Sequence, residues 1–124
     1  MLQKMNEDGR LLKSLKFVCG SDSGRKRFCA VLCQLLEQPE QTISVIRKAI
    51  RHVMPYDEYL KTEHWKKLSS AAKYAANGRC QLCNGTGELH AHHRTYDRRG
   101  FEFDGDITVL CAECHGKFHD KVTA

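Results

Sequence analysis

The sequence predicts an α+β fold: a mostly α-helical part over residues 1–56, followed by a small zinc-stapled ββα unit over residues 57–124. Three observations predict it. Apolar residues recur at helical spacing through the first half. Two C-x2-C pairs, Cys80/Cys83 and Cys111/Cys114, are separated by 27 residues. Two short apolar runs lie between or beside those pairs, and a histidine-bearing stretch follows the second pair.

The elements are taken in chain order. Leu11, Leu12, Leu15 and Val18 can form one face of a short helix. Gly20 to Gly24 reads as a loop whose small polar residues can cap the next helix. From Arg25 to Gln38, residues Phe28, Val31, Leu32, Leu35 and Leu36 mark a helix, and Pro39 interrupts it. A second helix runs from Glu40 to Met54 with Ile43, Ile46, Ile50 and Val53 on one face, and Pro55 ends it. These two are expected to pack as a hairpin. Thr62 is placed to cap a helix reaching Ala76, with Trp65, Leu68 and Ala72 inward and Asn77-Gly78 as its stop. Leu89 to His93 and Ile107 to Leu110 read as paired strands. A short helix carrying His115 and His119 should begin after Cys111.

The formal net charge of +5 is unevenly spread. Residues 1–79 hold 15 Lys/Arg against 8 Asp/Glu, whereas residues 80–124 hold 5 against 7. A basic body joined to a slightly acidic metal module suggests a polyanionic partner, nucleic acid being the usual one. A solvated basic surface is the alternative. The first eight residues contain no apolar signal-like core, and no run approaches the ~18 apolar residues of a membrane span. A cytoplasmic chain that does not engage a membrane is therefore expected. There, paired cysteines read as metal ligands rather than disulfides. The other three cysteines, Cys19, Cys29 and Cys33, read as ordinary buried thiols.

Two close cysteine pairs aim four thiolates at one point. They fill a tetrahedral shell with no open position, so Cys80, Cys83, Cys111 and Cys114 are expected to hold a structural Zn2+. A chain of 124 residues buries a small core, which such a metal would supplement. The histidines suit a second, open site. His115 and His119 lie four apart on the predicted helix, so their rings share a side. His92 and His93 are adjacent on a strand and point to opposite faces. One of them can join His115 and His119 around a metal, and the other can face a substrate.

Residues 80–124 resemble the HNH nuclease family of ββα-metal, or His-Me, fingers. The resemblance is carried by Cys80-x2-Cys83, Leu89-His90-Ala91-His92-His93, Tyr96, Gly105-Asp106-Ile107, Leu110-Cys111-x2-Cys114-His115 and His119. The run-up, Tyr59-Leu60 followed by Trp65 on a basic helix, is also similar to many members. The resemblance implies a metal-dependent endonuclease. His93 matches the general base, and His92, His115 and His119 match the ligands of one catalytic divalent metal. Asp106 stands where the family has an asparagine that braces the base loop, and an ionised aspartate can accept hydrogen bonds but not donate them. Three imidazoles favour Zn2+, Ni2+, Co2+ or Mn2+ over hard Mg2+.

The implied partner is double-stranded DNA. Lys66, Lys67, Lys73 and Arg79 on the basic helix, with Arg94, Arg98 and Arg99 in the finger, are expected to contact its backbone, giving affinity without sequence choice. Two other readings compete. One is a catalytically inactive zinc-stapled nucleic-acid-binding module, and the other is a protein-interaction module built on the same staple.

Overall fold

The computed structural model describes the backbone of residues 2–37 and 42–123, with side chains over 7–37 and 42–117. It is mostly helical, with one two-stranded antiparallel sheet, in keeping with the α+β class. Two compact units are present. One comprises Met1–Trp65 with Arg99–Phe101, and the other Lys66–Arg98 with Glu102–Ala124. Among the described residues, no helix is long and apolar enough to cross a membrane.

The first unit is built on α1 (Leu2–Val18), α2 (Asp22–Leu35), α3 (Thr42–Val53) and α4 (Tyr56–Tyr59), and it includes the start of α5 (Glu63–Ala75). Leu11, Ser14 and Val18 form the buried stripe of α1, whereas Leu12 is 52% exposed. Helix α2 begins three residues earlier than expected. Ser21 caps it, its hydroxyl oxygen accepting from the Gly24 N–H at 3.0 Å, so the predicted loop is partly helix. On α3 the buried stripe is Val45, Ala49, Ile50 and Val53, and Ile43 faces outward. The expected inward set held Ile43 because hydropathy alone ranks it with its neighbours. The face against α2 instead runs through Val45 and Ala49, spaced four apart, which close on Leu35 with Phe28, Val31, Leu32 and Phe101 around them. Asp8 on α1 accepts two hydrogen bonds from the Arg47 guanidinium of α3, at 2.8 and 2.9 Å.

Cys29 and Cys33 are exposed and Cys19 is half-buried, correcting the expectation of buried thiols. Both exposed cysteines lie just beside the Phe28–Val31–Leu32–Leu35 stripe of α2, on its solvent side.

Gly24 marks the closest backbone approach in this unit. A Cβ built there would lie 1.8 Å from the Val18 carbonyl oxygen. Gly24→Ala is therefore expected to force the α1–α2 turn apart and lower stability by about 1–3 kcal/mol in urea unfolding. An unchanged midpoint would contradict the close approach.

The segment Arg99–Phe101 is seated in this same unit. Gly100 adopts φ +95, and a Cβ there would come within 2.7 Å of Arg51 Cβ. Arg51 Nε donates to the Gly100 carbonyl at 2.9 Å, and His52 Nδ1 donates to the Arg99 carbonyl at 2.9 Å. The Arg99 guanidinium donates to the carbonyls of His52 and Met54 at the end of α3. It also lies 5.3 Å from the Tyr59 ring centroid. A cation at a helix C-terminus satisfies carbonyls that the helix leaves over.

Helix α5 starts and stops as its sequence predicts. Thr62 is fully buried, and its Oγ1 accepts from the Trp65 N–H at 3.1 Å while donating to the Tyr59 carbonyl at 2.7 Å. Glu7 on α1 adds a second cap by accepting from the Glu63 and His64 N–H groups. Trp65 packs 5.8 Å from Tyr59, ring to ring. At the other end Asn77 and Gly78 take positive φ, and the Gly78 N–H reaches back to the Lys73 carbonyl at 3.0 Å.

In the second unit, β1 (Leu89–His93) pairs antiparallel with β2 (Ile107–Cys111), in the register Leu89↔Cys111, Ala91↔Val109 and His93↔Ile107. A 3₁₀ turn over Asp104–Asp106 leads into β2, and α6 (Ala112–Thr123) follows it and packs on both strands. The order is ββα, with Ile107, Val109 and Leu110 buried.

Candidate functional site

The cysteine cluster is assembled by two turns. After α5 the chain forms a knuckle in which the Asn84 N–H donates to the Cys80 carbonyl and the Cys80 N–H to the Gly85 carbonyl, both at 2.9 Å. Asn84 takes φ 62 to close it. Gln81 ties the knuckle to β2. Its N–H donates to the Val109 carbonyl at 2.9 Å, and its Oε1 accepts from the Val109 N–H at 2.7 Å. The second pair sits where β2 becomes α6. Backbone N–H groups point at sulfur throughout: Leu82 and Cys83 at Cys80, Gly85 at Cys83, and Cys114 at Cys111, at 3.4–3.5 Å.

All four Sγ atoms lie within 4.8 Å of one another. A tetrahedral ion with Zn–S near 2.3 Å requires sulfurs about 3.8 Å apart, and Cys83 and Cys111 are at 3.8 Å. The electrostatics agree with the geometry. The Cys83 backbone N–H, with those of Cys111 and Leu82, lowers the Cys80 thiol to about 6. The Cys111 side chain and burial push the Cys114 thiol up to about 12. Four thiols this close cannot all ionise beside one another without a cation among them. The residues therefore fit a structural metal held by four thiolates.

The strand sends its histidines to two faces. On one face His92 Nδ1 is 3.2 Å from His115 Nε2. Two imidazoles sharing a tetrahedral ion with Zn–N of 2.0–2.1 Å stand about 3.3 Å apart, so this pair also fits a metal. His119 is carried by α6, and its side chain lies outside the described residues. Among the described residues, only the four cysteines gather three or more metal-binding atoms at one point. The sequence reading gave His90 no role, yet its Nδ1 lies 2.8 Å from His115 Nδ1 and its Nε2 3.2 Å from Glu88 Oε1. The signal was available: His90 precedes His92 by two, which on a strand means the same face.

On the opposite face His93 meets Glu102, Nε2 to Oε2 at 2.7 Å, with both side chains 0% exposed. The Tyr96 ring lies tilted by 34° against that of His93, with centroids 5.3 Å apart. The sequence reading missed Glu102, because nothing periodic links it to His93. A carboxylate only accepts, so His93 Nε2 carries the hydrogen that faces Glu102, and His93 Nδ1 is buried. His93 is thus enclosed and oriented rather than facing open solvent.

The buried Asp106 side chain acts as a hydrogen-bond acceptor. Its carboxylate takes the Phe103 N–H at 3.0 Å and a paired hydrogen bond from the Arg98 guanidinium, one arm of it at 2.8 Å. Its carbonyl takes the Arg94 N–H at 2.7 Å. The Arg98 guanidinium, together with the Phe103 N–H, holds the Asp106 carboxyl below the usual carboxylate range. A lowered native pKa stabilises the fold above the unfolded value, and that contribution is lost as pH falls through the native one. Asp106→Ala is therefore expected to cost about 1–3 kcal/mol near neutral pH, with the deficit against the parent narrowing in acid. A deficit that does not change with pH would contradict it.

The basic residues divide into two groups. Lys66 and Lys67 are exposed on α5 and Lys73 is half-buried. The arginines already serve the fold. Arg79 donates to the Asn84 carbonyl at 3.1 Å, Arg94 bonds Thr108 Oγ1, and Arg98 bonds Asp106 and lies 4.8 Å from the Phe103 ring centroid. Arg99, expected at a nucleic-acid backbone, has its guanidinium on the carbonyls that end α3.

Compared with protein-family models, curated proteins and solved structures, the chain matches none.

Proposed function

We propose that the chain is a metal-dependent HNH-type endonuclease that hydrolyses DNA phosphodiester bonds in its ββα finger. The observation that carries this reading is the placement of adjacent histidines on opposite faces of β1. His92 meets His115 of α6, and His93 is held by Glu102 through Nε2. In this mechanism His92 and His115, with His119, would hold one divalent ion, and such an ion would supply charge stabilisation to the phosphate. His93 Nδ1, buried in this structure, would take the proton of the attacking water once substrate binding gives water access to it. Glu102 keeps the imidazole in that tautomer and stabilises the imidazolium that forms. Asp106 keeps the Arg94–Phe103 ends of the loop in register behind it. The cysteine staple holds β2 against α6 and so sets the separation of His92 and His115.

Lys66 and Lys67, exposed on α5, contribute backbone affinity for DNA. Reversing both charges is expected to weaken duplex binding by a similar factor for unrelated sequences, and to reduce the steepness of its salt dependence. Fluorescence anisotropy against salt concentration measures both, and a salt-insensitive affinity would point to the protein-interaction reading. Catalysis itself is tested by incubating the zinc-loaded chain with supercoiled plasmid and, in turn, Mg2+, Mn2+, Co2+, Ni2+ or Zn2+. Nicking with at least one ion and none in chelator is expected.

A second reading has its own observation. Complete burial of both His93 and Glu102 side chains is also what a purely structural tie between β1 and the following loop requires. On that reading the chain is an inactive zinc-stapled module. Absence of nicking with every ion would favour it.

A further inference from the structure

We propose that His90 is the positioning residue for the imidazole metal site, fixing the tautomer of His115 so that its Nε2 faces the ion, with Glu88 as the outer anchor. The inference rests on the reading of His92 and His115 as partners in a metal site, and goes beyond it to a residue with no assigned role.

For a neutral His90, the contacts permit one direction of hydrogen bonding. Glu88 Oε1 lies 3.2 Å from His90 Nε2. A carboxylate accepts only, so His90 Nε2 must carry a hydrogen. A neutral imidazole has one N–H, which leaves His90 Nδ1 as a lone pair. That lone pair lies 2.8 Å from His115 Nδ1, which must therefore be the donor. His115 then has its lone pair on Nε2, the nitrogen 3.2 Å from His92 Nδ1. The opposite direction would set a lone pair of His90 against the carboxylate. The chain Glu88–His90–His115 thus aims a basic nitrogen at the point His92 also faces. Metal-bound histidines commonly donate their other N–H to such a partner, and removing it lowers metal affinity about 10–100-fold.

Geometry from the fold makes His90 available for this. Residues 90 and 92 share a face of β1, and the β1–β2 ladder pairs them with Leu110 and Thr108 in a fixed register. The His90 and His115 rings meet edge to face, with centroids 5.0 Å apart. His90 is half-buried, so the contact is shielded on its inner side, while Glu88 is 77% exposed. The larger effect should therefore follow loss of His90, and a smaller one loss of Glu88.

The test is calorimetric titration of Ni2+ into zinc-loaded protein, with two-bond 1H–15N correlation of the His115 ring as a second readout. The parent should bind one Ni2+ beyond zinc, and His92→Ala and His115→Ala should lose it. His90→Ala should bind it about 10–100-fold more weakly. It should also show His115 as a mixture of tautomers before Ni2+ is added, where the parent shows the Nδ1–H form. His90→Gln, whose side-chain oxygen can accept from His115 Nδ1–H, should recover most of the affinity. If His92→Ala and His115→Ala bind Ni2+ like the parent, or the parent binds none, the metal-site reading fails and the inference with it. If those two variants lose Ni2+ while His90→Ala keeps parental affinity and tautomer, the site stands and the role of His90 is refuted.

Discussion

Replacing Cys83 or Cys111 with serine is expected to unfold the ββα unit. Each residue supplies one of four sulfurs that meet within 4.8 Å, and each receives a backbone N–H that orients its sulfur. Serine offers a harder, protonated oxygen on a shorter bond, so the four-sulfur site is lost. Structural zinc contributes on the order of 10 kcal/mol to small domains of this kind. The sheet has only two strands, and two strands alone are marginal in water. Backbone amides in the β1–β2 ladder should therefore lose protection from hydrogen exchange, and elemental analysis should show zinc falling from one per chain to none. Trp65, the single tryptophan, lies in the helical unit and reports on that unit instead. A serine variant that keeps the β1–β2 amides protected without zinc would show that the staple is dispensable.

His93→Ala is expected to reduce DNA cleavage by about 10²–10⁴-fold, the typical contribution of one general base. The variant also removes a buried partner of Glu102, so a disturbed loop would add to the loss. Glu102→Gln separates the two effects. Glutamine keeps the size of the side chain and can still accept through its oxygen, so it preserves the Nε2–H tautomer while removing the charge that stabilises the imidazolium. Cleavage by Glu102→Gln should fall less than in His93→Ala, with folding retained. Equal losses accompanied by lower stability in both variants would instead identify the pair as a structural tie.

Legibility from sequence followed the range of the interaction. Features decided within a few residues were readable: the Thr62 cap, the Asn77-Gly78 stop, the knuckle turns, and the ββα order that brings Cys111 and Cys114 to a strand–helix junction. Alternation along β1 correctly separated His92 from His93. Features decided by partners far along the chain were not readable. Glu7 caps a helix that starts 56 positions later. Arg99 reads as a surface cation by composition, yet it satisfies the end of α3. Ile43 and Val45 differ little in hydropathy, and it is Val45 that packs in the cluster with Leu35 and Ala49. Glu102 was invisible as the partner of His93, because a buried carboxylate–imidazole pair has no periodic signature. His90 was legible in principle, since it shares a strand face with His92, but it had to be weighed as part of a set with His115 and Glu88.

The most direct test is to titrate Mn2+ into zinc-loaded His93→Ala and His92→Ala, following metal binding and plasmid cleavage in parallel with the parent. The account predicts that His93→Ala binds Mn2+ like the parent but cuts about 10²–10⁴-fold more slowly, while His92→Ala loses both the ion and the cleavage. Loss of Mn2+ by His93→Ala with retention by His92→Ala would reverse the two roles, and cleavage at the parental rate by both variants would contradict the nuclease reading itself.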